Sequence, residues 1–107
     1  MSARTTILAK RIKENPQDSF SKFALALELL KINKTDNAKV LFESIVENDP
    51  NYVGVYYHLG KLHAQIGENN LARNAYKQGI EISDLLNDSH SKSELQSALM
   101  ALELDID

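Results

Sequence analysis

The sequence predicts an all-α protein, and three observations carry that prediction. Breaks are sparse: Pro16, Pro50 and four glycines, Gly54, Gly60, Gly67 and Gly79, interrupt long stretches rich in Ala, Leu, Glu, Lys and Gln, all good helix formers. Apolar residues recur at helical spacing, and no run of strict apolar and polar alternation bounded by turn residues competes with it. The breaks Asn15-Pro16 and Asp49-Pro50 stand 34 residues apart, and the chain between and after them repeats with that period.

The first element is expected at about 3–14. A shift of 34 puts Ile7, Leu8 and Ile12 under Leu41, Phe42 and Val46, and Asn15-Pro16 under Asp49-Pro50, so this segment reads as an orphan second helix of a hairpin. Two hairpins follow, with helices at about 19–32 and 36–48, then 52–66 and 69–86. The same shift pairs Leu25 with Leu59, Ala26 with Gly60, Ile32 with Ile66, Ala38 with Ala72, Phe42 with Tyr76, and Val46 with Ile80. Asn33 pairs with Gly67, the residue types that best tolerate the left-handed backbone ending a helix. Small residues at Ala26 and Gly60 allow close helix approach, and Ala38 and Ala72 leave room for the aromatic side chain four residues on. The last element is expected at about 92–104, with Leu95, Leu99 and Leu102 buried and a capping box of Ser91 with Glu94. It lies outside the repeat frame, behind a polar linker from Asn87 to Lys92.

These residues resemble the tetratricopeptide repeat (TPR) family, whose unit reads Trp, two residues, Leu-Gly, two residues, Tyr, then Ala, three residues, Phe, then Pro. The second unit matches with Tyr56, Leu59, Gly60, His63, Ala72 and Tyr76; the first matches more loosely with Lys22, Leu25, Ala26, Leu29, Ala38, Phe42 and Pro50. Departures are Lys22 where an aromatic is expected, Gly79, which the frame pairs with Ile45, and Asp84 in place of the closing proline, so that the helix is expected to run on through Leu85-Leu86. The resemblance implies a right-handed superhelix of antiparallel hairpins in a single domain: a flanking helix in 1–16, repeats in 17–50 and 51–84, and a linker with a capping helix in 85–107.

Composition narrows the function. With 43% apolar and 25% charged residues, the chain has ordinary globular composition, enough for one core and too short for a multidomain catalyst. It has no cysteine, which removes disulfides, thiolate nucleophiles and cysteine-bound metals and fits a cytoplasmic setting. No apolar run approaches the ~20 residues of a membrane span. The net charge of −3 argues against nucleic acid as partner. Residues 1–40 hold eight Lys or Arg against four acids, +4, which leaves −7 for residues 41–107. Either these are solvated faces of opposite sign, or they steer a charged partner or a head-to-tail self-contact.

Chemistry-bearing residues do not assemble into a catalytic pattern. His58 and His63 are five apart, about 140° around a helix, and cannot share a metal as residues four apart can. His63 falls at the packing position of Leu29, and Asp88, Ser89 and His90 are sequence neighbours, which is not how a nucleophile, base and orienting acid are arranged in space. There is no glycine-rich phosphate loop, no carboxylate pair with an evident reason for a raised pKa, and no metal-ligand cluster. Neither an enzyme nor a cofactor or metal site is expected.

A binding face is. With Leu25 at 0° and about 100° per residue, the packing residues Lys22, Ala26 and Leu29 fall on one side, and Phe20, Phe23, Leu27, Leu30 and Lys31 on the other. The resemblance implies that this arc lines a concave groove, continued by Gly54, Tyr57, Lys61, Ala64 and Gln65. A helix apolar almost all round is normally covered on both sides. The cover is a flanking helix of the chain itself, a partner's peptide or helix, or a second copy. TPR modules that capture acidic C-terminal tails use Lys, Asn and Arg in this groove; here Phe23, Leu27 and His58 stand there instead. The expected function is a protein-interaction scaffold taking an apolar helix or extended apolar segment, with Phe20, Phe23, Leu27, Leu30, Lys31, Tyr57, Lys61 and Gln65 as candidate groove residues. The alternative is a structural homodimer that uses the same apolar face.

Overall fold

The computed structural model describes residues 2–105, which form six helices and no strand: α1 (Ala3–Glu14), α2 (Ser19–Lys31), α3 (Thr35–Asn48), α4 (Gly54–Gln65), α5 (Asn69–Leu85) and α6 (Ser89–Asp105). The chain is divided into two units, Met1–Tyr52 and Val53–Asp107. Among the described residues no helix is long and apolar enough to cross a membrane.

In the first unit, α2 packs against α3 and against α1. Ala26, Ala38, Phe42 and Ile45 are fully buried, and Leu8, Ala24, Leu25 and Leu29 nearly so. Lys22, where the repeat pattern expects an aromatic ring, is buried, and its ammonium donates to Ser44 Oγ at 3.0 Å. The Asn15-Pro16 and Asp49-Pro50 turns are built alike: Asp18 N donates to Asn15 O at 3.1 Å and Tyr52 N to Asp49 O at 2.9 Å. Ser19 Oγ donates to the Asp49 carboxylate at 2.7 Å and joins the start of α2 to the end of α3.

In the second unit, α4 and α5 form the hairpin, and α6 packs on α5 and also touches α4. Gly60 has to lack a side chain, because a Cβ there would press into the Tyr76 ring, 2.6 Å from Cδ1. Gly79 lies beneath Tyr56 and Leu95: a Cβ would sit 2.6 Å from Tyr56 Cβ and 2.9 Å from Leu95 Cδ1. His63 is buried, as its packing position implies, and its Nδ1 donates to Glu68 Oε1 at 2.9 Å across the turn to α5.

Three helices end in the same turn. Asn33, Gly67 and Asn87 have φ of 61°, 83° and 56°. After them Lys34 N donates to Leu29 O, Glu68 N to His63 O, and Asp88 N to Ser83 O, at 2.9, 2.8 and 2.9 Å. These are Schellman closures, in which the left-handed residue lets the next amide reach a carbonyl of the last helical turn.

The last of these turns corrects the reading of the C-terminal segment. Asn87 to Lys92 is no linker: α6 begins at Ser89, and its cap is Asp88, whose carboxylate accepts from Ser91 N at 3.0 Å and from Ser91 Oγ at 2.7 Å. Ser91 therefore lies within the first turn and does not cap it. Asp18 caps α2 identically, accepting from Ser21 N at 3.0 Å and Ser21 Oγ at 2.6 Å. Leu95 and Leu102 are buried as expected, whereas Leu99 is half-buried. Helix α5 runs to Leu85 with Leu86 as its C-cap, so the extension past the missing proline is present.

Candidate functional site

The α2 arc is open at its N-terminal end. Phe20 is 59% exposed, Phe23, Leu27 and Leu30 are half-buried, and Lys31 is exposed. Phe20, Phe23, Ala24 and Leu27 line a cleft of about 400 Å³ whose polar rim is Arg4, Glu28 and Lys31. Glu28 Oε1 accepts from Arg4 Nε at 3.1 Å and from Lys31 Nζ at 3.3 Å, so one carboxylate organises both cations and the rim keeps a net positive charge. Helix α1 thus supplies one wall through Arg4 and does not cover the arc.

Members of the arc differ in what holds them. The Phe23 ring lies 6.0 Å from Phe42 and 5.4 Å from Tyr52, tilted against both, so Phe23 belongs to the packing of the hairpin as well as to the cleft. Burial, with Asp49 and Asp18 nearby, pushes the Tyr52 phenol up. Leu30 lies beyond the lining of the cleft.

On α4, Tyr57 is half-buried, and Lys61 and Gln65 are exposed. Tyr57 forms a wall of a cleft of about 470 Å³ faced by His90, Ser93, Glu94, Ser97 and Ala98 of α6. Its ring meets His58 edge-on at 5.4 Å. Burial holds the His58 imidazole below its ordinary range; Lys61 adds to this and Glu94 opposes it. Lys61 and Gln65 do not line this cleft. Among the described residues, no three His, Asp or Glu side chains gather to hold a metal ion.

Sequence reasoning missed Arg4, Glu28 and the α6 residues facing Tyr57. A signal for the latter was present: Asp18-Ser19-Phe20-Ser21-Lys22 and Asp88-Ser89-His90-Ser91-Lys92 differ at one position and stand 70 residues apart, two periods plus two residues. Helix α5 runs three residues longer than α3, 17 against 14, and the connection to α6 is one residue shorter than that from α1 to α2, three against four, which together give the two. At this offset, Phe20, Phe23 and Leu27 correspond to His90, Ser93 and Ser97. Helix α6 is a third copy of the α2 element, with a polar arc in place of an apolar one.

Comparison with known proteins accords with this geometry. The family model described as tetratricopeptide repeat matches residues 53–84. The solution structure of a tetratricopeptide repeat domain protein from Salinibacter ruber is 44% identical, with 83% of this chain and 90% of that one covered at a TM-score of 0.79. The TPR2B domain of yeast Sti1, solved as a complex with pHsp70, is 19% identical over 94% of this chain and 81% of its own, at 0.86. PcrH, solved with the chaperone-binding region of PopD, is 13% identical over 96% and 78%, at 0.87. The latter two likenesses establish the fold alone. No curated protein matches the chain. With the 34-residue frame visible in both hairpins and a 44% identical relative matched over nearly its whole length, the chain belongs to the tetratricopeptide repeat family.

Proposed function

We propose that this chain is a protein-interaction module whose α2 face takes an apolar helix or extended apolar segment of a partner. The observation that carries this is Phe20, 59% exposed at the mouth of a cleft walled by Phe23, Ala24 and Leu27. Ringed by Arg4, Glu28 and Lys31, it has the apolar centre and polar rim of a protein-recognition surface. Leu30 and Lys31 extend the face along α2; Tyr57, Lys61 and Gln65 of α4 are candidate partner contacts of the second unit in their own right. The structures of Sti1 TPR2B with pHsp70 and of PcrH with a PopD segment, similar in fold, support a protein partner; its apolar character is argued from the α2 face alone. The module acts as a scaffold in the cytoplasm, without cofactor or catalysis, and as one domain.

The test is a selection of peptides from a random library on the wild-type protein, followed by titration of the winners against Leu27→Glu. Apolar-anchored peptides that bind the wild type and fail on a folded Leu27→Glu variant support the reading. Peptides that bind both equally overturn it. A dimer of the wild type that Leu27→Glu alone dissolves would make the same face a self-association surface.

A further inference from the structure

Phe20 also closes a second cleft, of about 320 Å³, whose other walls come from α1: Arg4, Ile7, Leu8 and Arg11. A cavity of roughly 150 Å³ accepts a benzene ring, so there is room here for two aliphatic side chains. Leu8 is buried, Ile7 is 54% exposed, and two guanidinium groups stand at the rim. The helix that builds this cleft is basic, with Arg4, Lys10, Arg11 and Lys13 against Glu14, a net +3.

Helix α6 is its complement. It carries Glu94, Glu103 and Asp105 against Lys92, a net −2. Met100 and Leu104 are 66% and 70% exposed. Four residues apart, they lie side by side, on the side of α6 away from Leu95 and Leu102. Scattered exposed apolar residues are ordinary; here each apolar pair sits on a helix whose charge is opposite to the other's.

We propose that the occupant of the α1–α2 cleft is a second copy of this chain, which inserts Met100 and Leu104 of its α6 and sets Asp105 toward the Arg4 and Arg11 rim. Such a contact is heterologous: each copy uses its cleft for one neighbour and its α6 for another, so association continues along a line unless the rotation closes. Phe20 and Arg4 line both clefts, but Ile7, Leu8 and Arg11 belong to this one alone and Phe23 and Leu27 to the other, so variants at Ile7 and Leu27 test the two readings separately.

The experiment is sedimentation velocity on the full chain at rising concentration and low salt, with Ile7→Asp and Leu104→Asp. Both positions are exposed, and circular dichroism verifies that each variant is folded. Wild-type mass should climb with concentration and fall back as salt screens the opposed charges. Each variant alone should stay monomeric. An equimolar mixture should form a one-to-one dimer and stop there, because one variant retains the cleft and the other retains α6. A wild type that is monomeric throughout, a single variant that still associates, or a mixture that fails to pair would each overturn the proposal. Leu27→Glu should self-associate like the wild type; its loss of association would move the contact to the α2 arc and overturn this assignment.

Discussion

At the residue scale, packing between helices is set by an exchange of volume between facing positions. Where the first hairpin has Lys22 and Ile45, the second has Tyr56 and Gly79, and the missing side chain of Gly79 is what admits the Tyr56 ring and Leu95. Gly79→Ala should therefore destabilise by about 1–3 kcal/mol, because Tyr56 Cβ is fixed to its own backbone and cannot swing aside. Gly60→Leu should be worse, since it overlaps the Tyr76 ring. Urea midpoints check both, and an unchanged midpoint for either would mean that the hairpin is not packed as described. Lys22 obeys a different logic, for its side chain is buried and its ammonium donates to one serine hydroxyl. Lys22→Met keeps the unbranched stem and removes a charge from a buried position, and Ser44 keeps an interaction with Asn48 Nδ2. Stability should hold or rise; a large loss by the same measurement would show that the lysine is structurally required.

At the scale of elements, the helices are delimited by caps whose ionisation can be followed. Asp18 and Asp88 are held below the ordinary carboxylate range, the first mainly by the Ser21 hydroxyl and the second mainly by the Ser91 amide. A folded-state pKa below the unfolded value of about 3.9 means that this stabilisation is fully present above pH 4 or so and is lost as pH falls through the depressed value. His58 is also held down, so the unfolded chain takes up a proton first and stability starts to fall below about pH 6.5. Melting temperature against pH should show both declines. Asp18→Asn with Asp88→Asn retains an N-cap acceptor and should flatten the acidic one; His58→Gln should flatten the other. In α6, Leu95 is 1% exposed and Leu99 half-buried, so Leu95→Ala should cost about 2–5 kcal/mol and Leu99→Ala clearly less. Equal losses would mean that α6 is seated on a different face. Deleting 90–107 strips Leu95 from the Tyr56 and Gly79 surface and should leave a partly unfolded or aggregating protein; an unchanged melting point would make α6 dispensable.

For the molecule as a whole, binding and stability should separate along the α2 arc in an order that periodicity alone does not supply. Phe20→Glu should leave melting nearly unchanged, Leu27→Glu should lower it modestly, and Phe23→Glu should lower it most, because that ring also packs with Phe42 and Tyr52. All three should reduce peptide binding, while Leu25→Ala should cost about 2–5 kcal/mol and spare it in the folded fraction. If Phe20→Glu unfolds the protein, the arc is core and not a surface.

Much of this was legible in the sequence. The helices, the 34-residue register, the left-handed turns at Asn33 and Gly67, and the burial of Ala26, Gly60, Phe42 and Tyr76 all follow from spacings of three and four residues and from the steric demands of single positions. Those are local properties, and a sequence displays them directly. The start of α6 was not local in this sense. Asp88 and Ser91 are both competent caps, and the choice between them puts Leu95 over the space that Gly79 leaves, a contact between separate helices. The division of the α2 arc was hidden for the same reason. Phe20 and Phe23 share one angular sector, yet Phe23 is engaged by rings from α3 and from the turn after it, while Phe20 is left between two clefts that exist only once α1 has packed alongside. Helical periodicity determined which side of α2 was apolar. How much of that side stays open was decided by residues distant in the chain, because exposure depends on what other elements bring near.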